Sequence, residues 1–263
     1  HELHSYLWAY YDEYKSLGIE VEDNIELINA TNPNIKTIRK SIIPTQLCQV
    51  KYNTSYAPDF GVFEIGRVAK GLKSDGLVDE HKMLAITLFS KTKSVEKLYF
   101  ELRDMLATFT DNIKHKSLDF APAAKAHSYE HPRNLNKIIC DGRELGTIGI
   151  VHPVVSKKLD KKASIVFAEI DIQEFAQIAN SSISYEEPSK YPAMEIDLSF
   201  VTDKFAPIKS AIEAAKSKLV KNIEVVDTYT DGDTKSITTR ITFSHPEKTL
   251  TREEVMDIVN TVI

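Results

Sequence analysis

The sequence predicts an α+β protein with antiparallel sheets, and two observations favour this class. Residues 136–151 are predicted to form a β-hairpin, because alternating apolar side chains flank Asp141-Gly142, a dipeptide typical of tight two-residue turns. Predicted strands also outnumber predicted helices before residue 180, whereas a doubly wound fold would alternate the two. We therefore expect antiparallel pairing, with helices packed on the sheet.

Residues 1–184 form the first predicted domain. Its clearest helix covers residues 94–110, where Val95, Leu98 and Leu102 begin an apolar stripe at helical spacing. The other predicted helices cover residues 37–52 and a short stretch ending at residue 178. The predicted strands outside the hairpin cover residues 62–68, 82–89 and 164–171.

A polar, proline-containing stretch at residues 181–190 is predicted to be the linker to a second domain, residues 185–263. This domain begins with a strand at 194–202 and a helix at 206–220 whose inward side includes Ala215 and Leu219. A hairpin follows, with strands at 223–230 and 235–244, and then a helix that starts with the capping box Thr251-Arg-Glu-Glu254. The order β-α-β-β-α is one strand short of the ferredoxin-like β-α-β-β-α-β unit, and the sequence ends where that strand is expected.

The composition is that of a soluble globular protein, with 42% hydrophobic and 27% charged residues among 263. The longest apolar runs fall far short of the roughly 18 residues that span a membrane, and the first residues lack the pattern of a signal peptide. Cys48 and Cys140 lie far apart, which favours free thiols in a reducing cytoplasm. We expect a cytoplasmic protein that does not contact membranes.

One side of the second domain's sheet is predicted to carry no helix, because both helices of a ferredoxin-like unit lie on the same side. Period-2 counting places Leu198, Phe200 and Ile241 toward the helices. The opposite side collects Asp197, Ser199, Asp227, Tyr229, Ser236, Thr238, Arg240 and Thr242. Such a surface is either an ordinary solvated face or a platform for unstacked bases. A net charge of −5 gives no general attraction to nucleic acid, so any such contact must be local.

Several motifs, in order and in register, carry a resemblance to a known family. The second domain contributes Tyr191-Pro-Ala-Met-Glu-Ile-Asp-Leu-Ser-Phe-Val201, Asp227-Thr-Tyr229, Thr239-Arg-Ile-Thr-Phe243 and Lys248-Thr-Leu-Thr-Arg-Glu-Glu-Val255. The first contributes Asn32-Pro33, Ile38-Arg-Lys-Ser-Ile-Ile-Pro44, Tyr52-Asn53, Phe63-Glu-Ile-Gly66 and Gly146-Thr-Ile-Gly-Ile-Val-His-Pro153. Together they resemble the C-terminal part of the β subunit of bacterial phenylalanyl-tRNA synthetase.

For the second domain, the resemblance implies a ferredoxin-fold anticodon-binding domain that binds tRNA specific for phenylalanine. By position, the stacking aromatic is Tyr229, and the smaller polar contacts are Ser199, Asp227 and Ser236. We add Arg240, the cation of the same face, to these predicted anticodon-binding residues. The family often has Arg before the Asp of the first strand, where this chain has Ile196.

For the first domain, the resemblance implies a class II synthetase-like module that has lost its chemistry. Adenylation on that fold needs an Arg two residues before a Glu and a Gly-rich phosphate-binding segment. The strand Phe63-Glu-Ile-Gly66-Arg67 lacks that Arg, and none of the nine glycines forms a Gly-x-Gly pair. We therefore expect no catalytic residues and no cofactor on this chain. The α subunit would use ATP and Mg²⁺, and the segments starting at Thr37 and Val62 would pack against it in an assembly of two α and two β subunits.

Other sites and functions fit the sequence less well. His1-Glu-Leu-His4 lacks the spacing of a zinc-binding helix, and His131 and His152 have no neighbours at ligand spacing, so no metal site is predicted. A regulatory amino-acid-binding module is an alternative, since such modules share the β-α-β-β-α-β order. They bind near a Gly-containing loop, and only Gly232 is available here. A stand-alone synthetase-like subunit regulator is a third possibility, although it would lack the second domain.

Overall fold

The computed structural model describes residues 1–21, 24–182, 187–214, 218–232 and 234–260. The chain divides into two units, residues 1–183 and 184–263. The domain boundary predicted between residues 184 and 185 lies outside the described residues. Within the described ranges, no helix combines the length and the apolar character needed to cross a membrane.

In the first unit, an antiparallel six-stranded sheet runs in the order β1-β2-β6-β5-β4-β3. Its strands are β1 (Asp59–Leu72), β2 (Val78–Ser90), β3 (Asp119–Pro122), β4 (Glu130–Cys140), β5 (Arg143–Val151) and β6 (Ser164–Asp171). The predicted α+β class is confirmed, and β6 has the predicted bounds. Asp141 and Gly142, between β4 and β5, both have φ in the left-handed region, at +53° and +75°, as the predicted tight turn requires.

Helices cover both faces of this sheet. They are α1 (Tyr11–Leu17), α2 (Ile43–Asn53), α3 (Val95–Lys114), α4 (Pro153–Leu159) and α5 (Ile172–Gln177). Along β6, Ile165 and Phe167 join the core beneath α1, α2 and α4, whereas Val166 and Ala168 join the core beneath α3 and α5. Burial on both faces explains why residues 165–168 of this strand are four consecutive apolar residues.

The predicted helix at residues 37–52 starts too early. Thr37 and Ile38 form isolated β-bridges with the N-terminal segment, and α2 begins only at Ile43. Pro44 in the first turn suits a helix start, because its missing N–H has no helical partner there in any case. The free N–H of Ile42 donates instead to Glu169 Oε1 at 2.7 Å, a contact between residues that are distant in the sequence.

A buried ion pair joins the segment before α2 to strand β1. Arg39 Nη2 lies 2.8 Å from Glu64 Oε1, and the two side chains are only 2% and 3% exposed. Arg39 also donates to Ser5 Oγ at 2.6 Å and to the carbonyl of Arg67 at 3.1 Å, and Ser5 Oγ donates to Glu64. Gly66 leaves the space for this cluster, since a Cβ there would lie 2.6 Å from Arg39 Nη2.

The second unit has a three-stranded antiparallel sheet in the order β7-β9-β8. Its elements are β7 (Met194–Val201), α6 (Phe205–Ala214), β8 (Val220–Asp231), β9 (Thr234–Phe243) and α7 (Arg252–Val259). Ile208 of α6 and Val255 of α7 pack with Ile237 and Ile241 on one side of the sheet. The capping box is confirmed, because the Thr251 and Glu254 side chains each accept from the other's backbone N–H.

The predicted helix at residues 206–220 extends too far. Leu219 lies in a turn, Val220 already pairs with Phe243 in the sheet, and the predicted inward residue Ala215 is outside the described residues. Sheet pairing with β9 takes precedence over the apolar spacing that predicts a longer helix.

The buried ion pair gives a prediction for stability. Glu64→Gln keeps the volume of the side chain but leaves the Arg39 charge without its counterion, so we expect a loss of about 3–5 kcal/mol in the free energy of unfolding. Denaturant titration, followed by a probe in the first unit, measures it. Glu80→Gln is the matched control because Glu80 pairs with Arg67 at the surface, and it should have a far smaller effect. Equal effects of the two substitutions would contradict a special role for the buried pair.

Candidate nucleic-acid interface

The side of the β7-β9-β8 sheet away from α6 and α7 is called the open face here. Strand pairing arranges its side chains in rows that cross β8, β9 and β7, and each row is named after one of its residues. They are the Tyr229 row (Tyr229, Ser236, Val201), the Asp227 row (Asp227, Thr238, Ser199), the Arg240 row (Glu224, Arg240, Asp197) and the Glu195 row (Asn222, Thr242, Glu195).

Tyr229 reaches the open face because β8 contains a β-bulge. Val225 pairs with Thr239 and Asp227 pairs with Thr238, so Val226 is the extra residue of β8. In a regular strand, residues 223 and 229 would face the same side. The bulge reverses the alternation, so that Ile223 packs on the helix side while Tyr229 faces away from the helices, with 61% of its surface exposed.

The Asp227 row offers hydroxyl and carboxylate groups beside the tyrosine. Ser199 Oγ and Thr238 Oγ1 are 2.8 Å apart and share a hydrogen bond. One oxygen of Asp227, Oδ1, accepts from the backbone N–H of Thr228 at 2.9 Å. Small hydroxyl groups and a carboxylate next to an exposed ring can bind the edge of a base while the ring stacks on its face.

Arg240 is held by an acidic residue of its own row. Its Nε and Nη2 donate to the two carboxylate oxygens of Asp197 at 2.8 and 2.9 Å, and its Nη1 lies 3.5 Å from Glu195. The Arg240 guanidinium therefore lowers the pKa of Asp197, and Asp197 in turn raises the pKa of Arg240. A guanidinium bound in this way is not free to receive a phosphate.

The structure brings the predicted site residues together on the open face, but they differ in position and in whether they are already paired. Ser199, Asp227, Tyr229 and Ser236 occupy two adjacent rows, whereas Arg240 lies in the next row and is already paired. Sequence reasoning missed four members of the open-face rows: Val201, Glu195, Glu224 and Asn222. The alternation of β7 could have identified Val201 and Glu195, but Glu224 and Asn222 are placed only once the bulge is known.

Comparison with protein families agrees with this geometry. Residues 189–263 match the family described as a ferredoxin-fold anticodon binding domain, which is the class of the second unit. Residues 1–172 match the family described as the phenylalanyl tRNA synthetase beta chain CLM domain. The chain therefore belongs to the phenylalanyl-tRNA synthetase beta chain family.

Curated relatives carry the name phenylalanine–tRNA ligase beta subunit. The protein of Bacillus subtilis (strain 168) is 27% identical over 93% of this chain and 32% of its own length. That of Carboxydothermus hydrogenoformans is 25% identical over 100% of this chain and 35% of its own length. That of Bacillus licheniformis is 29% identical over 86% and 30%. The chain thus spans about a third of the length of the relatives it matches.

The Arg240–Asp197 pair gives a prediction that depends on pH. Because the folded-state pKa of Asp197 is lowered, the pair should stay intact as the pH falls from neutrality, and break only when the pH passes below the ordinary value of 3.8. NMR exchange of the Arg240 Nε–H measures this. The Nε–H of Arg103, whose contacts with Asp104 are 3.3–3.4 Å long, should exchange faster than that of Arg240 at every pH at which the Arg240–Asp197 pair is intact. Equally fast exchange of the two signals, or an unaltered Arg240 signal in Asp197→Asn, would contradict the pairing.

Proposed function

We propose that this chain is the part of a cytoplasmic phenylalanine–tRNA ligase β subunit that binds the anticodon stem-loop and holds the catalytic α subunit. In this proposal the second unit binds tRNA specific for phenylalanine through Ser199, Asp227, Tyr229 and Ser236. The first unit is a class II synthetase-like scaffold without catalytic residues. The observation that carries the proposal is an exposed tyrosine beside hydroxyl groups, on the one sheet face that no described helix covers.

Stacking rather than phosphate pairing supplies the binding energy in this proposal. The Tyr229 and Asp227 rows contain a single charged side chain, Asp227, which repels phosphates but can accept the N–H groups of a base. Arg240 does not compensate, because Asp197 already holds it. The arrangement supports contact with unpaired bases of a loop more than with the backbone of a duplex.

The interior of the first unit supports a scaffold role. Glu64 belongs to the motif Phe63-Glu-Ile-Gly66, where the resemblance would place an ATP-binding carboxylate. Its side chain is instead buried against Arg39. Glu169 is also used internally, since it accepts from Ile42 N–H, and burial raises its pKa. In this proposal the α subunit handles ATP and Mg²⁺, and this chain binds no cofactor.

Apolar side chains on α2 and β1 support a contact with the α subunit. Tyr52, Phe63 and Ile65 are exposed there, although residues of this type are usually buried in a core. In this proposal they contact the α subunit, in an assembly of two α and two β subunits.

The contact with the α subunit is tested by two separate substitutions, each of which introduces one negative charge. Ile65→Asp should reduce capture of the α subunit of the same organism at least tenfold, because it puts a charge in an apolar interface. Ile113→Asp is the control, since Ile113 is similarly exposed (44% against 46%) but lies on α3. Co-purification of the full 263-residue chain with the α subunit gives the readout. If the two substitutions act alike, the contact does not involve β1.

The anticodon contact is tested at Tyr229. Tyr229→Ala should weaken binding of tRNA with a phenylalanine anticodon by about 1–3 kcal/mol, the contribution of one stacked base, while Tyr229→Phe should retain most of the affinity. Tyr191→Ala is the control, because Tyr191 is exposed in the same unit but outside the four rows.

Fluorescence anisotropy with matched and mismatched anticodon tRNAs gives the readout for these variants. Equal affinity for the two tRNAs would remove the proposal. Calorimetry with free phenylalanine addresses the alternative of an amino-acid-binding regulatory module, which predicts binding of the amino acid and no preference between tRNAs.

A further inference from the structure

Val201 is an exposed aliphatic residue on a sheet face that is mostly polar. It lies at the end of β7 in the Tyr229 row, and 80% of its surface is exposed. In the same row Ser236 pairs with Val201 on one side and with Tyr229 on the other. An exposed aliphatic side chain and an exposed ring therefore flank one small hydroxyl residue, on a face whose other rows carry charge or hydroxyl groups.

The spacing of this row suits one nucleotide base. Neighbouring strands are about 4.8 Å apart, so Tyr229 and Val201, two strands apart, have backbones separated by roughly 9–10 Å. A base that covers Ser236 can then contact the tyrosine ring on one side and the valine methyl groups on the other. Ser236 contributes a hydroxyl that can both donate and accept at the edge of the base.

The charges of the other rows favour a base over a phosphate as the occupant. Asp227 puts one negative charge in the row next to the Tyr229 row. The Arg240 and Glu195 rows contain Glu224, Asp197 and Glu195 around a single arginine, a net charge of −2. Phosphates are repelled from that end of the face, while the uncharged Tyr229 row accepts a neutral, flat, partly apolar group. Of the parts of a single-stranded RNA, only the base fits this description.

We infer that Val201 is a base-contacting residue, and that it forms with Tyr229 and Ser236 a site for one unstacked RNA base. This inference rests on the proposed anticodon-binding function and adds a residue to it. Val201 supplies the apolar contact on the far side of the base from the ring.

The test uses the full 263-residue chain and a stem-loop RNA that carries a phenylalanine anticodon. Val201→Thr keeps the β-branched shape that suits a strand but replaces one methyl with a hydroxyl. It should weaken binding about three- to tenfold, because one of the two methyl contacts is lost. The matched control is Val225→Thr, since Val225 is also an exposed valine of this sheet but pairs with Thr239 on the helix side. Thermal unfolding of both variants checks that each is folded.

A second measurement does not depend on a variant. On addition of the RNA, the methyl NMR signals of Val201 should shift while those of Val225 stay in place. Wild-type affinity of Val201→Thr with unmoved Val201 signals, while Tyr229→Ala still weakens binding, would overturn the role of Val201 and leave the proposed function standing. Failure of the wild-type chain to bind the RNA would overturn both.

Discussion

The extra residue Val226 in β8 determines what the second unit can do. Side chains of a strand alternate between two faces, and one inserted residue exchanges the faces for everything that follows. With the bulge, Ile223 packs in the core while Asp227 and Tyr229 reach the open face. Without the extra residue, Ile223 and Tyr229 would face the same side of the sheet. Either Ile223 would then be exposed to solvent, or Tyr229 would be buried beneath the helices. The candidate interface therefore depends on a backbone irregularity as much as on the side chains that form it.

The charge of the open face limits the kind of nucleic-acid contact that it can make. Proteins that bind duplex backbones gain much of their affinity from counterion release by lysine and arginine. Here the arginine of the face is neutralised by Asp197, and Glu195 and Glu224 stand beside it. What remains is the Tyr229 row, with a ring, a hydroxyl and a valine, and the Asp227 row, with two hydroxyls and a carboxylate. Recognition on such a surface depends on stacking and on the edges of bases, which is consistent with a loop as the partner and with the net negative charge of the chain.

The first unit uses its buried polar groups for structure. Arg39 and Glu64 join two segments that the sequence separates by 25 positions, and Glu169 binds the first free N–H before α2. Each group is costly to bury alone and acceptable when paired, so each also specifies one arrangement of the chain. Carboxylates engaged in this way are not available to a substrate. This engagement of the carboxylates is the physical basis of the scaffold role proposed for the first unit.

Local signals in the sequence determined the regular elements: the hairpin at Asp141-Gly142, the strand Ser164–Asp171, the capping box at Thr251 and the alternation that separates Ser199 from Phe200. These depend on neighbours within a few residues, and a linear pattern records them. The tertiary structure decided where α2 begins and where α6 ends, that Arg240 is paired, and which residues of β8 share a face with Ser199. Each of these is set by a contact with a distant segment or by a register shift, whose free energy depends on the partner strand or charge and so leaves no periodic trace in the sequence.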